Sequence, residues 1–212
     1  MKQVKLLVDD SSSWMIPFAI DITEKLKASG FNAQFISSHE EIGTGFCLFL
    51  LSCTKKLKSL DDFKHNIVIH ASALPKGKGW SPLTWQILEG KNKIPLTLFE
   101  ANDKIDDGDI YFKDILELKG GELIQEIRKK LSVKLEELIF KFLNDKNLKP
   151  IKQEGSETIY TRRNYKDSYL DSQKSISEQF NLLRVYDNEK YPAFFIHNSK
   201  KYILKIYEYQ DV

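Results

Sequence analysis

The sequence has little sulphur, few turn-formers for its length and no strong charge of either sign. Among 212 residues there are two cysteines, two methionines, six prolines and ten glycines. The cysteines, Cys47 and Cys53, are six residues apart inside an apolar run. No Cys-x-x-Cys occurs and the spacing fits none of the usual zinc arrangements, so both read as small buried hydrophobes and no metal is expected. His39, His65 and His197 show no ligand spacing either and are expected to be surface or structural side chains. The formal net charge is +2, with 29% charged residues interspersed in sign. Without a basic block, a nucleic-acid partner is not expected. No apolar run approaches the ~20 residues a membrane helix needs, and no leader-like segment opens the chain, so a cytoplasmic protein without membrane contact is expected. No Gly-x-Gly-x-x-Gly follows the first strand, which removes support for dinucleotide binding.

What is present is an alternation of strands and helices. Apolar residues make up 42% of the chain, enough to bury a sizeable core. Short apolar runs at Val4–Val8, Asn32–Ser37, Cys47–Cys53 and Asn66–His70 read as buried strands. Between the first two, Met15, Ile16, Ala19, Ile22 and Leu26 recur at helical spacing, with Ser13 as a candidate cap, Pro17 in the first turn and Gly30 as the stop. Ser81-Pro82 is expected to cap and open a short helix ending at Gly90. Ile94–Phe99 and Ile110–Phe112 read as further strands. A long amphipathic helix from about Glu122 to Asn144 carries the stripe Leu123, Ile127, Leu131, Leu135, Leu138, Phe142. The predicted fold class is α/β: a Rossmann-like, mostly parallel sheet with helices on both faces, occupying residues 1–148. Residues 149–212 form a connector with a short strand at Thr158–Thr161, then a small C-terminal subdomain. Ser175-Ile-Ser-Glu178 is a capping box opening its helix. Ala193–His197 and Tyr202–Tyr207 make a hairpin, whose tyrosines are a candidate homodimer surface.

Two segments carry the chemistry. The first is His70-Ala-Ser-Ala-Leu-Pro-Lys-Gly-Lys-Gly-Trp80, a histidine ending a buried strand and followed by a Pro/Gly-rich loop. The carboxyl ends of strands in open sheets are where ligands bind. The second is Asp106-Asp-Gly-Asp-Ile110, an acidic turn leading into a strand, in which Asp107 and Asp109 are expected to be solvated. His70, Ser72, Leu74, Pro75 and Gly79, followed by Asp106, Gly108 and Ile110, resemble the two signature blocks of the folate-dependent formyltransferases. That family includes enzymes acting on methionyl-tRNA, on glycinamide ribonucleotide and on sugar nucleotides. The tail, with Asp167–Asp171, Ser175–Arg184 and Tyr191–Phe194, is similar to the sugar-nucleotide N-formyltransferases. Trp85, Ile87 and Gly90 resemble the tRNA and sugar branches more than the purine one. The chain ends soon after Tyr207, and the larger C-terminal domain of the tRNA enzymes is not expected.

The resemblance implies a formyltransferase moving the formyl group of 10-formyltetrahydrofolate to the amine of an amino-sugar nucleotide, for surface-polysaccharide (lipopolysaccharide) or flagellar glycan synthesis. The alternatives are another amine, on tRNA or a purine precursor, and a binding protein without catalysis. It implies that His70 takes the amine's proton or stabilises the oxyanion, with Asp106 orienting it. Ser72, Leu74, Pro75 and Gly108 would hold the folate. Lys76, Gly77, Lys78, Gly79 and Trp80 would hold the substrate. Trp14, Trp80 and Trp85 could line the pocket or fill the core, and Arg184 and Asn181 could touch the nucleotide or brace the fold. Two departures stand out. The family's asparagine falls at Val68, and loss of one oxyanion donor costs roughly 3–4 kcal/mol. Asn66 faces the same side but lies about 13 Å from His70 along an extended strand. Ser72, Asn102, a backbone N–H or protonated His70 are the candidate replacements. The second departure is Lys78, where the family commonly has arginine, whose planar fork a lysine lacks.

Overall fold

The computed structural model describes residues 2–209. Its centre is a six-stranded sheet in the order β2-β1-β3-β4-β6-β7. These strands are β1 (Gln3–Leu7), β2 (Asn32–Ile36), β3 (Gly45–Leu50), β4 (Phe63–His70), β6 (Lys93–Glu100) and β7 (Ile110–Glu117). The first four pair in parallel. β6 runs antiparallel to β4, and β7 antiparallel to β6. The parallel part is made of continuous apolar runs because both faces are buried: Val4, Leu6, Leu7 and Val8 are all fully enclosed.

Helices α1 (Ile16–Ala28) and α3 (Ile124–Asn144) cover one face. Their Ile22, Leu26, Ile127, Leu135 and Leu138 share a core with Val4, Leu6, Cys47, Phe49 and Ile67. The opposite face is not layered with helices in the same way. There Leu7, Ile36, Leu48 and Phe63 pack against Leu50 at the end of β3, Ile42 just after a 3-10 turn (His39–Glu41), and Cys53 and Leu57 from the loop after β3.

Two expected caps do not form. Ser13 Oγ accepts the Met15 N–H at 3.2 Å, two residues before the N-cap position that Met15 holds, and α1 starts at Ile16 without a side-chain cap. Ser81 sits at φ 50°, which turns its hydroxyl away from the first turn of α2 (Pro82–Leu88). Pro82 makes this tolerable, since it brings no N–H to satisfy.

Residues after 148 fold back onto the sheet. Ile151 exchanges backbone hydrogen bonds with Ile110. A two-residue strand β8 (Ile159–Tyr160) pairs in parallel with β5 (Lys78–Gly79). Helix α4 (Phe180–Val185) packs on α2, and Val185 enters the main core. Strands β9 (Ala193–His197) and β10 (Lys200–Leu204) form the antiparallel hairpin.

Candidate active site

His70 is the last residue of β4, opposite Thr97 of β6. On an alternating strand it points away from the helix-covered face, on the same side as Val68. Its Nε2–H donates to the Gly77 carbonyl at 2.9 Å, and Asp106 Oδ2 lies 3.6 Å from the same nitrogen. Both side chains are largely enclosed, at 11% and 14% exposure. Asp106 Oδ2 also accepts the Gly79 N–H at 2.8 Å. The structure therefore brings together the histidine and the carboxylate, 36 residues apart in sequence, through the glycine loop between them.

The acidic turn is shaped by a close backbone crossing. Asp106 sits at φ 50°, and a Cβ on Gly108 would fall 1.5 Å from the Glu100 carbonyl oxygen. Only glycine passes there, which is the physical reason for the Asp-x-Gly pattern. The turn is held from outside by Gln153, whose Nε2–H groups donate to the carbonyls of Asp106 (3.0 Å) and Gly108 (2.9 Å). The loop 76–79 is held similarly. The Gly77 N–H donates to Thr158 Oγ1 at 2.9 Å, and a Cβ on Gly79 would fall 2.5 Å from the Tyr160 carbonyl oxygen.

Of the residues expected to hold the folate, Ser72 is buried and its Oγ has no hydrogen-bond partner. Leu74 joins Phe99, Ile110 and Val68 in an apolar cluster on the His70 side. Pro75 follows a cis peptide bond. Of the residues expected to hold the substrate, Lys76 is exposed and Trp80 is 38% exposed, with the Arg162 guanidinium 4.7 Å above its ring. Lys78 is different. Its ammonium is buried and bonded to Asp107 at 2.5 Å and Glu157 at 2.8 Å. The Asp107 carboxylate, then Glu157, raises the Lys78 pKa above its ordinary value. Asp107 is thus an ion-pair partner, not a freely solvated acid.

Several other expectations resolve. Asn66 is buried and its Nδ2 donates to the Leu60 carbonyl at 2.7 Å, so it anchors a loop and does not replace the missing asparagine. Asn102 is exposed, with its Oδ1 taken by the Lys104 N–H. Arg184 is 1% exposed and bonded to Asn181 and Asn92, so both Arg184 and Asn181 brace the fold. Trp85 stacks on Tyr160 with ring centres 6.2 Å apart. Burial, with help from Asp9, pushes the Cys53 thiol up to about 12, and burial raises Cys47 well above its ordinary range. Neither offers a thiolate nucleophile near neutral pH. Sequence reasoning missed Gln153, Glu157, Thr158 and Tyr160. They lie in a polar stretch with no periodicity, and only their tertiary contacts single them out.

This geometry has relatives. Residues 49–143, which hold His70 and Asp106, match the Formyl transferase family. A methionyl-tRNA formyltransferase from Ehrlichia canis is 30% identical over 148 residues, covering 68% of this chain and 47% of the relative. The chain spans about half the length of the curated relatives it matches. Among solved structures, a methionyl-tRNA formyltransferase from Clostridium thermocellum aligns with TM-score 0.83 at 23% identity, over 99% of this chain and 94% of that one. A sugar N-formyltransferase from a Shewanella strain aligns over the whole of both chains, with TM-score 0.71 and 14% identity. HypX from Aquifex aeolicus, in complex with tetrahydrofolic acid, aligns over 97% of this chain and 37% of that one, with TM-score 0.76 and 15% identity.

Proposed function

We propose that this chain is an N-formyltransferase that moves the formyl group of 10-formyltetrahydrofolate to the amine of an amino-sugar nucleotide, in the cytoplasm, for surface or flagellar glycan synthesis. The observation that carries the reading is the His70–Asp106 pair, enclosed at the carboxyl end of a strand and fixed by the glycine loop. When bound, 10-formyltetrahydrofolate supplies the carbonyl carbon that the amine attacks. The residues present suit such a group. Val68, partly exposed over the enclosed cluster of Leu74, Phe99 and Ile110, offers an apolar contact on the His70 side, and the orphaned Ser72 hydroxyl offers a buried donor.

His70 Nε2–H is committed to Gly77 and faces the Asp106 carboxylate. Nδ1 is then the ring nitrogen left to take the proton of an attacking amine. Asp106 compensates the charge that the ring gains. Negative charge developing on the carbonyl oxygen needs a donor in place of the missing asparagine. With the Asn66 Nδ2–H committed to the Leu60 carbonyl, Ser72 Oγ, the Asn102 Nδ2–H, a backbone N–H and protonated His70 remain. Trp80, Arg162 and Lys76 form an aromatic and cationic patch beside the glycine loop, suited to a base and its phosphates.

Support for a sugar acceptor comes from the full-length alignment with a sugar N-formyltransferase and from the low, interspersed charge, which offers no footprint for a polyanion. A tRNA acceptor is the second reading, favoured by the alignment with the Clostridium thermocellum enzyme. The deciding assay is mass spectrometry for one added formyl group, with 10-formyltetrahydrofolate, on a panel of 4-amino-sugar nucleotides and on methionyl-tRNA, for wild type and His70→Ala. Formylation of a sugar nucleotide that vanishes in His70→Ala is the expected result. Formylation of methionyl-tRNA alone would replace the sugar reading, and no product from any acceptor would leave a binding protein on this fold.

A further inference from the structure

β7 is the outermost strand of the sheet, and among the described residues its outer edge has no strand partner beyond the single bridge at Ile110. The backbone groups on that edge can be assigned. Leu118 N–H donates to the Asn92 carbonyl at 2.8 Å, so the alternation of an antiparallel ladder turns Leu116 and Asp114 toward β6. Lys113, Ile115 and Glu117 therefore direct their N–H and C=O groups outward. Pro95, opposite Ile115 and lacking an N–H, fits this phase. All three outward residues are exposed, Ile115 at 47%. Behind the edge, a cavity of about 680 Å³ runs between β7 and α3, lined by these residues with Lys130, Val133 and Lys134. Val133 is 49% exposed.

We propose that a second copy of the chain adds its own β7 to this edge, antiparallel, about a twofold axis at Ile115, joining two six-stranded sheets into one. The register is selected by charge. A twofold axis normal to the sheet opposes residues whose side chains share a face. Centred on Lys113, Asp114 or Glu117, it opposes each of these charges with its own copy. Centred on Leu116, it sets Lys113 against Lys119. Centred on Ile115, it sets Ile115 against its copy and places Lys113 opposite Glu117 twice. Opposite charges at such positions favour pairing, and like charges oppose it. In the isolated chain, Asp114 Oδ1 accepts the Ile115 N–H at 2.7 Å, which caps the edge. Its Oδ2 already lies 3.4 Å from Lys134, which can retain the carboxylate when a partner carbonyl takes that N–H.

Analytical ultracentrifugation tests this on wild type, Lys113→Glu, Glu117→Lys and the double variant. Wild type should dimerise. Each single reversal should weaken the dimer by about 10- to 100-fold, because two attractive pairs become repulsive. The double variant should return to within a few-fold of wild type, which also shows that the changes do not unfold the chain. Ile115→Cys should form an inter-chain disulfide under mild oxidation, since directly opposed bonded residues lie about 5.5 Å apart at Cα. Wild type, with Cys47 buried and Cys53 half-buried, should not. A wild-type monomer at about 100 μM overturns the proposal. So does a dimer indifferent to both reversals, and its loss on Ile203→Asp would assign the interface to the β9–β10 hairpin instead.

Discussion

Replacing Asp106 by asparagine is the sharpest test of the candidate site. Asparagine matches the side chain in size and tolerates the left-handed φ of 50° at this position, so the turn should survive. What disappears is the charge. At 3.6 Å from His70 Nε2, a unit charge interacts with a protonated ring by roughly 4–5 kcal/mol at an effective dielectric constant of about 20. Solvent still reaches both groups in part, and an amide oxygen can accept the Gly79 N–H almost as well, so the net effect comes down to about 3–4 kcal/mol. Expressed only when the ring carries the proton, this is a transition-state loss: kcat/KM for formyl transfer should fall about 100- to 1,000-fold with little change in substrate affinity. Steady-state kinetics with 10-formyltetrahydrofolate and the accepted amine, alongside thermal melting to confirm folding, measure it. A folded Asp106→Asn variant within about threefold of wild-type kcat would remove Asp106 from the chemistry.

Three further outcomes follow from the same structure. Val68→Asn buries an amide in the apolar cluster with Leu74, Phe99 and Ile110, and should cost about 1–3 kcal/mol of stability in urea titration without raising turnover; a tenfold gain in kcat would mean that no donor has replaced the asparagine. Gln153→Ala removes two neutral hydrogen bonds of about 1 kcal/mol each from the acidic turn, so kcat should drop about tenfold while KM stays close to wild type; an unchanged kcat would reduce Gln153 to a surface contact. Burial alone would raise the carboxyl of Glu122, but Lys130 and the N–H groups of Lys119 and Gly120 outweigh it and hold it at about 2, below the ordinary 4.5. A carboxyl depressed by folding stabilises the protein above its unfolded value and loses that stability as pH falls from about 4.5 toward 2, here on the order of 3 kcal/mol. Urea midpoints measured down this range should fall in wild type and fall less in Glu122→Gln; parallel slopes would contradict the assignment.

The sequence made parts of this legible for physical reasons. The stripe on α3 repeats at helical spacing because one face is buried along its whole length. The histidine at a strand end and the Asp-x-Gly turn were readable through the family resemblance, and at Gly108 a backbone crossing imposes the residue identity. Other parts left no local trace. The antiparallel entry of β6 and β7 is invisible to periodicity, which reports faces and not strand direction. β7 was expected to end at Phe112 and runs to Glu117, because Lys113, Asp114 and Glu117 on an edge strand look like a polar loop. Residues 148–170 were read as a connector. The short strand expected at Thr158–Thr161 is present as β8, but its pairing with β5 leaves no local mark, and Gln153 acts through a single amide reaching two carbonyls.

The same segment changes how the substrate side of the site should be read. A lysine in a glycine-rich loop suggests an anion site, and the family resemblance placed Lys78 among the residues that would hold the substrate. Here that side chain is 7% exposed and its ammonium is already bonded to two carboxylates, one from the acidic turn and one from the returning chain. A phosphate could reach it only by displacing Asp107 or Glu157 and leaving a buried imbalance of charge. Lys78 instead ties three segments together: the loop that supplies Gly77 and Gly79, the turn that supplies Asp106, and the strap that supplies Thr158. Anion recognition then falls to cations that still face solvent. Lys76 precedes the buried pair on the same loop, and Arg162 leaves the strap just after β8 to lie over Trp80. On the proposed amino-sugar nucleotide reading, the strap that holds the glycine loop would also deliver the cation for the acceptor's phosphates, so catalysis and acceptor choice would depend on one stretch of chain.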